Sequence, residues 1–320
     1  MKKTKLLFLV LAVPLLIGCG GSAANKTAKS PKFAKEGEKV EGADFLTKVN
    51  EAFTSCAFAK DDLLGSAVAV IKEAGSDKAE LVRGGKKVES AQQYGEANYD
   101  VKYDAEHSIL RMNLKMTDAE ESDNGNTKTS VSAKQEMNRS YEGAQVSGAN
   151  HLVLIDLNEK SYASEELISG DKTVAKELDS YVKTMMGMMA YSTFMSPIAS
   201  YATMSEEQKA KFNFYQTGNV FTYTYEDKVE NNEVKEDETV VRVENESVSR
   251  KYQLDFTEGK MALRTYSEEI GSVEYKVATG EYGVGDIAKE EEKAGMELTY
   301  TTKKVSLKNT DLSKFTAIGF

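Results

Sequence analysis

The stretch that decides the fold is Tyr99-Asp100-Val101-Lys102-Tyr103-Asp104, followed after a short gap by Leu110-Arg111-Met112-Asn113-Leu114-Lys115-Met116. In both segments apolar side chains alternate with polar or charged ones. Because successive side chains of a β-strand point to opposite faces of a sheet, this period of two predicts two strands with one buried face each. Since only a few polar residues separate them, we expect an antiparallel hairpin that turns just after Asp104.

The same order of strand, aspartate, polar turn and strand recurs around Asp156 and Asp255. Thr257-Glu258-Gly259 is typical of a tight turn. The predicted strands are Thr129 to Tyr141, His151 to Ile155, Val220 to Tyr225, Thr239 to Val243, Val248 to Phe256, Lys260 to Tyr266, Val273 to Val277 and Leu298 to Leu307. The acidic stretches 117–128, 226–238 and 286–293 are interpreted as exposed loops. Consecutive strands with short connections predict an antiparallel meander.

An amphipathic helix is predicted at the start of the folded body. Phe45, Val49, Phe53 and Cys56 recur at helical spacing, and Asp44 is a candidate N-cap. A second helix is predicted from Asp61 to Ala74. The run 68–71 within it is equally compatible with a strand, so both readings stay open at this point.

A different pattern occupies Asp171 to Met204, where apolar residues return at helical spacing. Asp171 is the predicted cap, and Pro197 is predicted to break the far end. Six of the twelve methionines lie between Met185 and Met204. Methionine is flexible and polarizable, so it suits both an irregular core and an apolar binding surface. Two readings follow: the helix packs on the sheet as core, or its methionines line a cavity that accepts an acyl chain.

The first twenty residues have the form of a secretory signal, with lysines at 2, 3 and 5, an apolar run from Leu6 to Ile17, and small residues after it. Leu16-Ile17-Gly18-Cys19 resembles the lipobox of bacterial lipoproteins. That resemblance implies cleavage between Gly18 and Cys19 and lipidation of the Cys19 thiol. We therefore predict a signal peptide over residues 1–18, a flexible tether over 19–41 and a single domain over 42–320.

A doubly or triply acylated Cys19 would anchor the chain, since one acyl chain alone holds only weakly. The prediction is an extracytoplasmic protein of a bacterial envelope, bound to the membrane through this lipid. The spacer that follows is rich in lysine, which favours contact with acidic headgroups.

Composition narrows the function. The net charge is −10 and becomes more acidic once the signal lysines are removed, which argues against a nucleic-acid partner. The chain has only two histidines, and it has no nucleophile motif and no metal-ligand spacing. We therefore predict that it is not an enzyme and that it has no metal or cofactor site. Cys56 is left without a disulfide partner and is interpreted as a small buried apolar residue.

The order of lipobox, helix, antiparallel strands, mid-chain helix and further strands resembles the LolA/LolB and LppX/LprG group of envelope lipid carriers. The resemblance rests on Phe45 to Phe58, the three aspartate hairpins and the 171–204 insertion. It implies an α+β fold in which a curved antiparallel sheet, an incomplete β-barrel, carries helices on its concave face. It also implies a hydrophobic ligand between the two layers. The candidate ligand-binding residues are Tyr181, Met185, Met189 and Phe194 from the helical side, and Met112, Leu114, Leu254 and Phe256 from the sheet.

The predicted function is therefore a lipid-anchored protein that binds a lipid or acyl chain in this cavity. The alternative is an envelope interaction protein with a filled core, which binds protein partners through its acidic surface. The sequence identifies no particular protein partner.

Overall fold

The structure is a computed structural model, and it describes residues 26–60, 62–146, 149–166, 173–257 and 259–318. Within these ranges thirteen strands form one open, mostly antiparallel sheet. They are β1 (Glu38–Val40), β2 (Ala67–Arg83), β3 (Lys86–Asp104), β4 (Ile109–Asp123), β5 (Lys128–Val146), β6 (Ala149–Asp156), β7 (Ser161–Glu166), β8 (Phe212–Thr217), β9 (Val220–Glu236), β10 (Thr239–Asp255), β11 (Lys260–Tyr275), β12 (Ile287–Thr302) and β13 (Thr316–Ala317).

The sheet order is β1-β8-β9-β10-β11-β12-β2-β3-β4-β5-β6-β7-β13. The short strands β1 and β13 form its two edges. Only β13 pairs in parallel within the described residues. Most neighbours in this order follow each other along the chain, so the predicted antiparallel meander is confirmed.

In all three predicted aspartate hairpins, the aspartate carboxylate accepts hydrogen bonds from backbone N–H groups of the turn that follows. Asp104 Oδ1 accepts hydrogen bonds from the backbone N–H of Glu106 and His107 at 3.1 and 3.2 Å. Asp156 does the same for the two residues that begin its turn, at 3.0 Å each. The backbone N–H of Thr257 donates to Asp255 Oδ1 at 2.9 Å. Each carboxylate therefore fixes the turn that follows its strand.

The predicted acidic loops are wrong, because most of their residues extend the strands. β4 and β5 continue so far that only residues 124–127 connect them. The stretch 226–238 belongs mainly to β9, and 286–293 belongs mainly to β12. The predicted pairs of strands within 239–256 and within 260–277 are likewise single strands, whereas the last predicted strand ends early, at Thr302. Both faces of the sheet are polar in these outer parts, so the apolar alternation that marks a half-buried strand is missing.

The predicted helix over Asp61 to Ala74 is also wrong, and the alternative strand reading is confirmed by β2. Side chains of the later helical segment hold the chain before β2 extended. Lys183 Nζ donates to the carbonyl oxygens of Lys60 and Asp62 at 2.8 and 2.7 Å. The N–H of Leu64 donates to the buried carboxylate of Asp179. These bonds satisfy backbone groups that a helix would otherwise pair internally.

The predicted first helix is α1 (Gly42–Ser55), which begins after Glu41, so Asp44 lies in its first turn and is not the cap. The mid-chain segment consists of α2 (Val174–Val182), a π-helical stretch (Lys183–Met188) and α3 (Met189–Met195). Short helical turns follow at Ser196–Ile198 and Tyr201–Thr203, and then α4 (Glu206–Lys209). The side chain of Thr173 caps α2, whereas Asp171 lies outside the described residues.

These helices pack on one face of the sheet, which we call the helical face. The core between them is aromatic. The ring of Phe45 lies 4.8 Å from that of Phe214, 5.8 Å from Phe221 and 6.1 Å from Phe194, measured between centroids. The hydroxyl of Tyr223 donates to the carbonyl oxygen of Phe194 at 2.8 Å. Such clusters combine large apolar burial with favourable ring geometry.

Two extended segments cross the opposite face of the sheet, which we call the strap face. The N-terminal strap, residues 26–37, belongs to the predicted flexible tether, yet it lies against the strands. The N–H of Ala28 donates to Ser76 Oγ at 3.0 Å, and the amide of Gln253 exchanges bonds of 2.8 and 3.2 Å with the backbone of Ala34. Beyond the strap, β1 pairs with β8.

Gly295 on β12 allows the close approach of this strap. A Cβ atom at that position would lie 2.8 Å from the carbonyl oxygen of Lys29. Gly187 allows a second close approach, between the helical segment and Phe58, since a Cβ at position 187 would lie 2.5 Å from the Phe58 side chain. A larger residue would push the strap away from the sheet at Gly295 and the helical segment away from Phe58 at Gly187.

The C-terminal strap, residues 303–315, crosses the other end of the strap face. Its backbone is held by buried acids: the N–H of Leu307 donates to Asp104 Oδ2 at 2.7 Å, and the N–H of Thr310 donates to Glu142 Oε2 at 2.7 Å. Both carboxylates are almost fully buried. The C-terminal strap therefore covers these carboxylates and supplies their hydrogen-bond donors; without the strap they would be exposed to water.

Candidate functional site

The predicted ligand-binding residues separate into two groups. Phe194, Leu254 and Phe256 lie in the continuous core, with Met112 and Met185 packed against it. The other three lie at its margin. Leu114 is nearly buried, Met189 is half-buried and Tyr181 is 37% exposed, with its ring centroid 5.3 Å from that of Tyr141. Gly18 and Cys19 lie outside the described residues.

The buried side of the helical segment is offset from the predicted one. Its fully buried residues are spaced by four and are Leu178, Val182, Met186, Ala190, Phe194 and Ile198. An ordinary α-helix of 3.6 residues per turn would carry such a series steadily away from the sheet. The wider turns of the π-helical stretch correct this drift. Met186 therefore points inward, whereas Met185 and Met189 lie at the flanks.

The space between helices and sheet is filled by side chains, since Phe45, Met186, Phe194 and Leu254 are each 0% exposed. A more open space exists beside this core. A groove of about 410 Å³ is lined by the apolar side chains of Leu114, Met116 and Met137. Its polar lining is mixed in charge and consists of Lys134, Gln135, Glu136, Arg139, Asp156, Asn158 and Glu159. Only one of the predicted ligand-binding residues, Leu114, lines it.

Beyond the core, the helical face continues as an acidic surface made of Glu73, Asp77, Asp118, Glu269 and Glu292. The strand registers place these carboxylates on neighbouring strands. Glu292 on β12 stands opposite Asp77 on β2 and opposite Glu269 on β11. The carboxylate of Asp118 lies over Gly95, 3.1 Å from where a Cβ would stand. Acids directly opposite one another across strands repel and destabilise the sheet.

The pKa values of four of these carboxyl groups are displaced upward. Burial raises the pKa of Glu73, Asp77 and Asp118. Burial also raises the pKa of Glu292, and the charges of Glu269 and Asp77 add to the effect. Arg250 pairs with Glu269, but in the described part of the chain no cation forms an ion pair with the other four. The acidic surface is therefore a concentration of negative charge, which Arg250 offsets in part because it pairs with Glu269 and opposes the rise in the pKa of Glu292.

On the strap face, in contrast, acidic side chains form ion pairs with lysine and arginine. Lys293 bridges Glu268 at 3.0 Å and also pairs with Glu291. Arg264 pairs with Glu297 at 3.2 Å. A second set of pairs joins Lys78 and Lys87 to Glu80. Charges on this face are largely neutralised by partners of opposite sign, so the two faces of one sheet differ in electrostatic character.

Sequence reasoning missed the acidic surface because it interpreted these residues as loops and as a helix. A usable signal was present in the sequence, because acidic and basic residues occupy alternate positions of these strands. In β12, lysines occupy 289 and 293, whereas 290 and 292 are glutamates between alanines. In β2, lysines occupy 72 and 78, whereas 73 and 77 are acidic. Because alternate residues face opposite sides of a strand, this segregation indicates one purely acidic face.

Among the described residues no group of histidine, cysteine and carboxylate side chains could hold a metal ion. Cys56 is half-buried, and burial raises the pKa of its thiol, which disfavours the reactive thiolate. In the described ranges no helix has the length and apolar character needed to span a bilayer.

The raised pKa values predict an unusual pH dependence of stability. A carboxyl group whose pKa is raised on folding stabilises the folded state below its unfolded pKa, and this contribution disappears as the pH rises through the folded value. We therefore expect the melting temperature to increase as the pH falls from neutral toward the ordinary pKa range of carboxyl groups. At still lower pH the trend should reverse, because Arg83 and the N–H of Gly283 lower the pKa of Asp286, whose contribution is lost on acidification. Differential scanning calorimetry across this range tests the expectation; a monotonic fall in melting temperature from pH 7 downward would contradict it.

Comparison with known proteins adds little. No known protein family matches the sequence, and no curated protein is similar to it. Two solved structures show a faint likeness. OccK7 (OpdD) of Pseudomonas aeruginosa has a TM-score of 0.18 and 6% identity, with 73% of this chain and 98% of that chain covered. The translocator domain of the autotransporter NalP from Neisseria meningitidis has a TM-score of 0.13 and 9% identity, with 81% and 96% covered.

Proposed function

We propose that this chain is a lipid-anchored, extracytoplasmic interaction protein of a bacterial envelope, and that its acidic surface binds a partner rich in lysine and arginine. The lipobox at Cys19 supports the location and the anchor. The observation that carries the interaction role is the contrast between two faces of one sheet. In the acidic surface only Glu269 has an ion-pair partner among the described residues, whereas Glu80, Glu268, Glu291 and Glu297 on the strap face are all ion-paired.

Several features support a binding role without catalysis. The carboxylates lie on rigid, hydrogen-bonded strands, so their spacing is held without a folding cost at binding. Small residues such as Gly75, Gly95 and Ala294 lie among them, which leaves the acids accessible to long basic side chains. Complementary charge of this kind accelerates association and selects partners. We also propose, as the resemblance to the lipid-carrier group implies, that the sheet curves toward its helices.

The test is binding of a labelled poly-lysine peptide to the purified protein, followed by fluorescence anisotropy at low and high salt. The test variant neutralises Glu73, Asp77, Asp118 and Glu292 as glutamine or asparagine. We expect roughly a hundredfold weaker binding, since each lost contact with a cation is worth up to about 1 kcal/mol. High salt should weaken the wild-type complex.

The matched control neutralises four carboxylates of the strap face, Glu80, Glu268, Glu291 and Glu297, and so has the same net charge. We expect it to bind poly-lysine within about twofold of the wild type, because its acids already have partners. If both variants lose affinity equally, binding follows the total charge alone and the proposed surface is wrong.

A second candidate is the original prediction of a hydrophobic ligand. The specific observation in its favour is the open groove beside the core, which is lined by Leu114, Met116 and Met137 together with side chains of both charges. An amphiphile whose acyl chain contacts these three apolar residues fits that lining. An acyl species that co-purifies with the protein, and is lost in Met116→Glu, would favour this candidate over the first.

A further inference from the structure

The two straps concentrate lysine on one side of the molecule. Eight exposed lysines lie on them: Lys26, Lys29, Lys32, Lys35, Lys303, Lys304, Lys308 and Lys314. Within the straps the acids are Glu36, which pairs with Lys251, and Asp311, which pairs with Lys314. The strands beneath carry balanced ion pairs, so the straps give this face its positive character.

The straps also fix where these lysines stand. The carbonyl oxygen of Lys26 accepts a bond from Gln92 Nε2 at 2.6 Å, and its ammonium group lies 5.4 Å from the centre of the Tyr94 ring. The carbonyl oxygen of Lys308 accepts a bond from Arg111. Backbone contacts with the sheet therefore hold the chain, and all eight lysines are exposed. The lysines form a rigid array and not a loose basic tail.

We propose that the strap face is the membrane-facing side of this protein, with its lysine array against the anionic headgroups of the bilayer and its acidic surface directed away. The proposal rests on the lipid anchor of the proposed function. Charge complementarity supports it, since basic side chains near an anionic leaflet are attracted over about a Debye length.

The position of the N-terminal strap supports the same orientation. Six residues separate Cys19 from Lys26, where the strap meets β3. An extended chain of that length reaches at most roughly 25 Å. A lipid on Cys19 would thus hold the strap face within a short distance of the bilayer. Binding partners of the acidic surface would then approach from the aqueous side.

The experiment uses the full lipidated protein in vesicles that contain a headgroup-borne quencher. A Cys56→Ser background leaves one thiol for a fluorophore, placed at Ser306→Cys on the C-terminal strap or at Ala91→Cys on the helical face. In vesicles of mixed phosphatidylglycerol and phosphatidylcholine, we expect about threefold stronger quenching at the strap position, because the lysines draw this face to the anionic surface. In pure phosphatidylcholine, or in high salt, the difference should shrink toward equality.

A variant with Lys26, Lys29, Lys303 and Lys308 replaced by serine should lose the difference between the two labels. A control with serine at Lys48, Lys60, Lys176 and Lys209, which lie in or beside the helices, has the same charge and should retain it. Equal quenching at both labels in anionic vesicles, or stronger quenching on the helical face, would overturn the proposed orientation. Failure of the anchor is a separate result: the protein would not float with vesicles of either composition, and its mass would show no acylated Cys19.

Discussion

Replacing Phe194 by alanine is expected to lower the free energy of unfolding by about 3–5 kcal/mol, the usual cost of deleting a buried phenylalanine ring. The ring is fully buried on α3 and lies 6.1 Å from Phe45 and 5.1 Å from Tyr223, between centroids. Removing it leaves a void under the helical segment that rigid strands cannot close. Chemical denaturation, followed by circular dichroism, measures the loss.

The control is Met188→Ala on the preceding turn of the same helical segment. Met188 is 45% exposed, so its truncation should change stability by no more than about 0.5 kcal/mol. The comparison also separates the two readings of the methionine-rich helix. If the core is filled by side chains, Phe194 is a packing residue and its truncation causes the large loss of stability. A loss for Phe194→Ala below about 1 kcal/mol, together with uptake of an acyl ligand, would instead indicate space between the layers.

The sequence predicted the parts of the fold in which one side of each element is apolar. The hairpin after Asp104 could be placed because Val101, Tyr103 and Leu110 alternate with polar residues and the aspartate caps its own turn. The first helix was found from Phe45, Val49 and Phe53 for the same reason. An element that is buried on one side has apolar residues at a regular spacing, and this spacing can be recognised without knowing which elements it packs against.

The outer halves of the long hairpins could not be predicted in this way. Around Glu226 to Glu236 and Ile287 to Lys293 both sides of each strand face water or other charged groups. Their strand conformation comes from backbone pairing and not from an apolar face: Glu226 to Glu236 pairs with the adjacent β10, and Ile287 to Lys293 pairs with β11 and with β2, which is distant in sequence. The straps escaped prediction for a related reason. The composition of residues 19–41 predicted a flexible spacer, but the backbone of the N-terminal strap is held by Gln253. The C-terminal strap was predicted in part as the end of a strand, but its backbone is held by Asp104 and Glu142.

The candidate site was predicted only in outline. An acidic surface was anticipated from the net charge, but not its place. The strand registers assemble it from Glu73, Asp77, Asp118 and Glu292, which lie on three separate hairpins. In the helical segment Met185 and Met189 were the methionines predicted to face a ligand cavity. A local π-helical stretch turned Met186 inward in their place, and sequence periodicity carries no mark of such a stretch.

The double variant Asp77→Asn/Glu292→Gln is expected to be more stable than the wild type and to bind poly-lysine more weakly. The two carboxylates stand opposite each other on β2 and β12, and each raises the cost of charging the other. Neutralising both removes a repulsion worth up to about 1 kcal/mol and the penalty of burying charge, so the melting temperature should increase by about 2–4 °C. Calorimetry at neutral pH measures the gain, and the rise in stability on acidification should become smaller in this variant.

The control, Glu80→Gln/Glu291→Gln, removes two acids that have lysine partners on the strap face. It should leave the melting temperature unchanged or slightly lower, with poly-lysine affinity unaltered, whereas the test variant should lose about tenfold in affinity. A variant that gains stability and loses binding is the result expected when residues serve an interaction and destabilise the fold. A double variant that melts earlier than the wild type would mean that Asp77 and Glu292 stabilise the sheet, and the acidic surface would then be a structural feature.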